Sequence, residues 1–359
     1  MTEASVTPTA MESHGGYNLR SQVQAAGLTP AVPMLERAAS LAALPTGPQS
    51  LVIVDYGSSQ GHNSLLPMAA AIDVFRGRCG PDREISVVHT DLPDNDFAAL
   101  FHTLLNDPDS YLKSRAGIFP FAVGRSFYEQ VVPSGTVTLG WSSWAVQWLS
   151  KAPEPIPDQV QISYSRDEEA RSAYASQAKE DWENFLRARA QELHAGGKLV
   201  VLTMAVDEHG DFGYKPLVEA LYAALLQMVE EGFIRSEELH RMAIPTVGRS
   251  KEDLLAPFKT DGKFDGLQVE EAEIFYGEDH IWAEYEQHGD ARAFGMKWSA
   301  FSRASVFPTM AEALDPGKDN GRLARFIERL DSDNAARLAQ KPEPMLIPLC
   351  RMLISKESE

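Results

Sequence analysis

The chain is predicted to be an α/β protein, a doubly wound, largely parallel sheet carrying a helical cap. Three observations predict it. Short apolar runs alternate with helical stretches over the first two hundred residues, a long mostly helical stretch follows, and a final apolar run closes the chain. The first run, "SLVIVDYG" (50–57), is continuously apolar until it ends in Asp and Gly, the pattern of a strand buried on both faces. "NSLLPMAAAIDVFRGR" (63–78) has helical periodicity, with Pro67 acceptable only near the first turn. "EISVVHTDLP" (84–93), "GIFPFAVG" (117–124), "GTVTLGWSS" (135–143) and "GGKLVVLTMAV" (196–206) give four more strands. Right-handed crossovers join strands of this kind. From 207 to 340 the pattern is mainly helical, and "PMLIPLCRMLIS" (344–355) returns as the last strand. The expected organisation is an arm over 1–34, a core of 35–206 plus 341–359, and a cap over 207–340. Residues 1 to about 13 are small and polar without a period, and are expected to be a mobile part of that arm.

Composition narrows the function classes. The 359 residues, 44% of them hydrophobic, suffice for a sizeable core. Fifty-one acidic against 33 basic residues give a formal charge of −18, which repels phosphate backbones and anionic lipid heads, so nucleic acid is not expected as a partner. No run reaches about 18 consecutive apolar residues and the N-terminus lacks a basic start with an apolar stretch behind it, so no membrane insertion and a cytoplasmic location are expected. Cys79 and Cys350 are far apart and form no C-x-x-C, so reduced structural thiols are expected. No metal site is expected: no H-E-x-x-H occurs, and a calcium loop begun at Asp315 would find Phe326 where its bidentate acid belongs. The acid-rich "DEHGDFG" (207–213) and "DPGKDNG" (315–321) are expected to be surface turns.

The loop "VDYGSSQGHN" (54–63) supports two chemistries. Gly57-Ser58-Ser59-Gln60-Gly61 fits the G-x-S-x-G elbow of a serine esterase, with His14-Gly15-Gly16 imitating an oxyanion hole and His280 or His288 as the base. That elbow needs several strands before it, and here no clear strand precedes Ser59. The alternative is a nucleoside-binding turn, in which glycines admit the ligand and Asp55 stands at the carboxyl end of its strand. A second acid then belongs at the end of the next strand to grip ribose hydroxyls, and Asp91 stands there. The D-x-G-x-x-x-G spacing from Asp55 to Gly61 suits S-adenosylmethionine better than a dinucleotide, because no pyrophosphate must be seated.

Six phrases in order resemble the SABATH carboxyl methyltransferases, enzymes of salicylate, benzoate and jasmonate methylation. They are "GGYNLRSQVQ" (15–24), "VDYGSSQGHN", "DLPDNDF" (91–97), "GRSFYEQVVP" (124–133), "WSSWAVQWLSKAP" (141–153) and "RAQELHAGGKLVVL" (189–202). The resemblance implies a Rossmann-like S-adenosylmethionine-dependent methyltransferase sheet with a helical cap, S-adenosylmethionine as cofactor and S-adenosylhomocysteine as its product. It implies that Asp91 holds the ribose with Leu92 beside the adenine, and that Ser126 and Phe127 flank that base. Asp55, Gly57 and Asn63 would line the methionine end, with Tyr17 and Ser21 reaching the cofactor from the arm. Gln24 and Trp148 would hold the carboxylate of a small-molecule acid. A homodimer is the assembly the family often forms. His14 departs from the basic residue usual before the glycines, and Tyr56, Gln60 and His62 depart from the usual loop residues, so no role is carried to these side chains.

The chemistry suits such residues. A carboxylic acid with an ordinary pKa of about 4 to 5 is ionised at neutral pH and needs no general base. The protein must supply position, and Gln24 Nε2 and Trp148 Nε1 are neutral donors that can orient an anion. Of the three clustered tryptophans, Trp141 reads as packing and Trp144 as pocket wall; Trp148 is expected one helical turn beyond Trp144. Gln147, Leu217, Val218 and Val247 complete the expected pocket. Family members acting on aromatic acids carry a tryptophan near Val218 and a tyrosine near Val247, so the smaller residues here favour an aliphatic, fatty-acid-like substrate. An aromatic acid or a ring nitrogen is the alternative.

Overall fold

The structure, a computed structural model, describes residues 8, 9, 11, 12, 22–47, 49–113, 115–315 and 321–358. Seven strands form one sheet in the order β3-β2-β1-β4-β5-β7-β6. They are β1 (Leu51–Tyr56), β2 (Ile85–Asp91), β3 (Ile118–Gly124), β4 (Val137–Ser143), β5 (Leu193–Met204), β6 (Leu267–Tyr276) and β7 (Pro348–Lys356). The first five are parallel neighbours, and β7 runs antiparallel between β5 and β6. Every strand expected from the sequence is present; β6 is an addition. Its stretch "LQVEEAEIFY" carries three glutamates and a register shift between Val269 and Glu271, so the alternation that identifies a strand is broken in mid-run.

The helices are α1 (Gln22–Leu28), α2 (Val32–Leu41), α3 (Leu65–Cys79), α4 (Phe97–Asn106), α5 (Glu168–Glu192), α6 (Lys215–Glu230), α7 (Ser236–Arg241), α8 (Lys251–Leu255), α9 (His280–His288), α10 (Ala291–Ser305), α11 (Phe307–Ala311) and α12 (Arg322–Gln340). Period-two alternation sends Ile53, Val87 and Leu139 to one face of the sheet, against α2, α3 and the cap, and Val54, Val88 and Val201 to the other, against Trp182 and Phe185 of α5. Pro67 sits in the first turn of α3, where its missing N–H costs nothing.

β6, from the same 207–340 range, joins the sheet beside β7, while helices α6, α10 and α12 pack together. Gly295 makes this approach feasible, since a Cβ there would lie 2.2 Å from the Ala335 carbonyl oxygen. A buried carboxylate, Glu238 of α7, receives a two-pronged Arg322 guanidinium at 2.7 Å on each oxygen, tying α7 to α12. Among the described residues, no helix is long and apolar enough to cross a membrane.

Candidate active site

The carboxyl ends of β1 and β2 build the first cavity. Gly57 turns the chain with φ 90°, and a Cβ at that position would lie 2.5 Å from Ala145 Cβ, so the turn is reserved for glycine. The N–H groups of Gly57 and Ser58 both donate to the Thr90 carbonyl, at 2.9 and 3.0 Å, folding the loop over the end of β2. Asp91 there accepts Ser59 N–H at 2.7 Å on one oxygen and Leu92 N–H at 2.8 Å on the other. Asn95 Nδ2 donates to the Ser59 carbonyl at 2.9 Å, and Asp96 caps α4 through Ala99 N–H. The acids and amide of "DLPDNDF" therefore divide between gripping the glycine loop and starting the next helix. Burial pushes the Asp91 carboxyl up to about 6, against the opposing pull of its two backbone donors.

This cavity measures about 270 Å³ and its wall includes Gly57, Ser59, Asp91, Leu92, Ser126 and Phe127. That is many times the space a single water needs, so the cavity admits a ligand of several groups. The donor set fits an adenosyl-amino acid: Asp91 keeps lone pairs for ligand hydroxyls, Leu92 and Phe127 offer apolar surface for a base, and the buried Ser59 hydroxyl lacks a partner among the described residues.

A second cavity, about 60 Å³, adjoins the first. Gln24 enters it from α1, Trp144, Gln147 and Trp148 from the segment after β4, and Leu217 and Val218 from α6. Trp141, the last of the three clustered tryptophans to be placed, is 1% exposed within the sheet and serves packing. The expected helical turn between Trp144 and Trp148 is not formed. Trp144 has φ 55°, in the left-handed region, and Trp148 pairs with Thr246 as an isolated bridge, flanked by Leu149 N–H on the Pro245 carbonyl and Val247 N–H on the Gln147 carbonyl. Extended pairing with 245–247 has replaced the helix. Tyr128 OH donates to the Trp148 carbonyl, Arg249 to that of Val146 at 2.5 Å, and Asp181 accepts Ser150 N–H at 2.8 Å, so the irregular segment is held from three sides. Gln147 is buried, spanning the Trp144 carbonyl and Thr203.

Within the described residues, the buried Gln24 Oε1 and Trp144 Nε1 have no hydrogen-bond partner, and Trp148 stands beside them in the wall. Trp144, Trp148 and Met11 line both cavities. Met11 belongs to a segment expected to be mobile, yet its described neighbours are bound. Glu12 N–H donates to the Ala304 carbonyl of α10 at 3.1 Å, Gln60 Nε2 donates to the Glu12 carbonyl at 2.5 Å, and Thr9 pairs with Thr309. Core and cap both supply partners, which is why this polar stretch is fixed despite lacking a period.

Several expected site residues stand apart from the cavity walls. Asp55 lies beneath the loop, its Oδ2 taking Ser64 Oγ at 2.5 Å and His89 Nδ1 at 2.9 Å, while His89 Nε2 meets Tyr111 OH at 2.8 Å. Asn63 sits in the short 3-10 turn His62–Ser64, its Oδ1 buried. Val247 faces away, packing with Leu149 and Ala152, and its neighbours Ile244 and Thr246 face the cavity instead. Tyr17, Ser21 and the His14-Gly15-Gly16 stretch lie outside the described residues. The esterase reading finds no assembly: no described imidazole bonds Ser59 Oγ, while His280 pairs with Glu278 and His288 ends the same helix, α9. Sequence reasoning missed Met11, Phe212 and Phe301 as cavity wall. Only the helical periodicity of α10 could have pointed to Phe301.

A seven-stranded sheet with one antiparallel strand next to its far edge, a glycine turn after β1 and an acid ending β2 define the class of S-adenosylmethionine-dependent methyltransferases. Within that class, the chain belongs to the SAM-dependent carboxyl methyltransferase (SABATH) family, whose model matches residues 7–347. It is 30% identical to methyltransferase FUS9 of Gibberella fujikuroi over 68% of this chain and 65% of that one. It is 28% identical to gibberellic acid methyltransferase 1 of Arabidopsis thaliana, over 90% of this chain and 91% of the relative. Salicylate carboxymethyltransferase of Clarkia breweri is 29% identical over 83% of each. A solved loganic acid methyltransferase with SAH shares the fold, with a TM-score of 0.78 at 21% identity over 98% of this chain and 99% of that one.

Proposed function

We propose that the protein converts a small aliphatic carboxylic acid to its methyl ester. The observation that carries this is the meeting of the two cavities at Trp144 and Trp148, beside the Gln24 amide, where the buried Gln24 Oε1 and Trp144 Nε1 lack partners among the described residues. When bound in the larger cavity, S-adenosylmethionine supplies a methyl group made electrophilic by the sulfonium it sits on. Asp91 holds the ribose, with Leu92, Ser126 and Phe127 around the adenine. Gln24 and Trp148 orient the acid's carboxylate, which is ionised at neutral pH, so the side chains position an oxygen and move no proton. Neutral donors also leave the anion more nucleophilic than an arginine ion pair would. Met11 and the cap keep water from the junction.

Leu217, Val218, Leu221 and Ile244 favour an aliphatic body. At about 60 Å³ this cavity is the smaller of the two, so short acids should lead and longer fatty acids should require the wall to move. Phe212, Tyr214 and Phe301, which line the same cavity, support an aromatic acid as the second reading. Incubation with methyl-labelled cofactor and a panel of short to long straight-chain acids, benzoic acids and indole acids separates the two. The expected result is labelled ester from short aliphatic acids first; no labelled ester from any acid would contradict the proposal.

A further inference from the structure

The phrase "RAQEL" (189–193) ends α5 on the far face of the sheet and touches neither cavity, yet its two charged residues are both fully buried. Arg189 Nε and Nη2 donate to the two carboxylate oxygens of Glu192, at 2.7 and 2.9 Å. The remaining guanidinium donors reach the backbone: Nη1 to the Phe127 carbonyl at 2.7 Å and Nη2 to that of Glu129 at 3.0 Å. Glu192 in turn accepts Val131 N–H at 2.5 Å and Val132 N–H at 3.3 Å. Its other oxygen accepts Tyr56 OH at 2.7 Å, and the guanidinium carbon lies 4.0 Å from the centre of the Tyr56 ring.

A buried ion pair is weak evidence of stability in itself, because desolvation offsets most of the attraction. What distinguishes this one is where its spare hydrogen bonds go. They grip the Gly124–Pro133 stretch at Phe127, Glu129, Val131 and Val132, and they grip Tyr56, the residue before Gly57. Phe127 and Gly57 line the larger cavity, and the Phe127 ring lies 3.6 Å from where a Gly57 Cβ would stand. The pair therefore joins the two walls between which the cofactor's cavity opens. The planar fork of arginine meets one carboxylate and two carbonyls together, which a lysine cannot do.

We propose that Arg189 and Glu192 are positioning residues for the cofactor, setting the separation of the Phe127 wall from the Gly57 turn. The test is calorimetric binding of S-adenosylhomocysteine and of adenosine to the full unliganded chain, well below its melting temperature. In Arg189→Lys and Glu192→Gln, both ligands should bind about tenfold more weakly, while kcat at saturating cofactor and KM for the acid stay within about threefold. A merely structural pair would lower the melting temperature and leave the affinity of the folded protein within about twofold, and that result overturns the proposal. Should both variants fail to fold, Tyr56→Phe decides, since it keeps the ring and removes one hydroxyl. Binding at least about threefold weaker supports the assignment, and unchanged binding overturns it.

Discussion

Trp148 and Gln24 carry the substrate half of the account, and both are tested by substitutions that spare the packing. Trp148→Phe keeps an aromatic ring and removes the N–H. A hydrogen bond to a charged group contributes about 1.5–3 kcal/mol, so kcat/KM for the acid should fall roughly 10- to 100-fold with little change in melting temperature. Steady-state kinetics beside a thermal melt check both halves. Asp91 gives a pH signature. Its carboxyl is raised to about 6 by burial, so the unliganded fold holds a proton that the unfolded chain releases nearer pH 4. On this group's account, stability is greatest at low pH and is lost as pH rises from about 4 through 6. Ligand hydroxyls donating to Asp91 favour its ionised form. S-adenosylhomocysteine should therefore bind more weakly as pH falls below about 6, releasing a proton on binding near that pH. Calorimetry in buffers of different ionisation enthalpy measures this, and Asp91→Asn should abolish it. Asp91, Gln24 and Trp148 were singled out because each stands in a phrase shared with a family, and all three line the cavities. The partner of Asp55 was not: His89 faces it directly across the β1–β2 register, and a contact between strands leaves no spacing in a single sequence.

At the scale of elements, the parallel strands were readable from continuous apolar runs, because burial on both faces demands them. β6 was hidden by its glutamates and its register shift, and the Trp144–Trp148 segment by a spacing that a helix and an irregular turn share. Long-range pairing with 245–247 decided the turn, and local sequence does not encode it. The bound stretch around Met11 was missed for the same reason, since its partners are 48 residues away at Gln60 and 291 to 300 residues away at Arg303 and Thr309. The glycine turn was legible, and its role can be tested. Gly57→Ala places a Cβ in the left-handed region and 2.5 Å from Ala145 Cβ. It should cost at least about 1 kcal/mol in urea unfolding and weaken S-adenosylhomocysteine binding at least about tenfold. Parent-like values for both would show that the turn does not shape the cavity.

At the scale of the molecule, one sheet presents the larger of two adjoining cavities at the carboxyl ends of β1 and β2, and α6 and α10 help to wall the smaller one. The formal charge of −18 repels the phosphates of a nucleic acid. The central claim is that the methyl group goes to a carboxylate oxygen, and the fate of the label under alkali tests it most directly. After incubation with methyl-labelled S-adenosylmethionine and a short aliphatic acid, the product should release its label as volatile methanol on mild alkaline hydrolysis, and Trp148→Phe should form much less of it. Label that resists alkali, as on a ring nitrogen or an ether oxygen, would contradict the account.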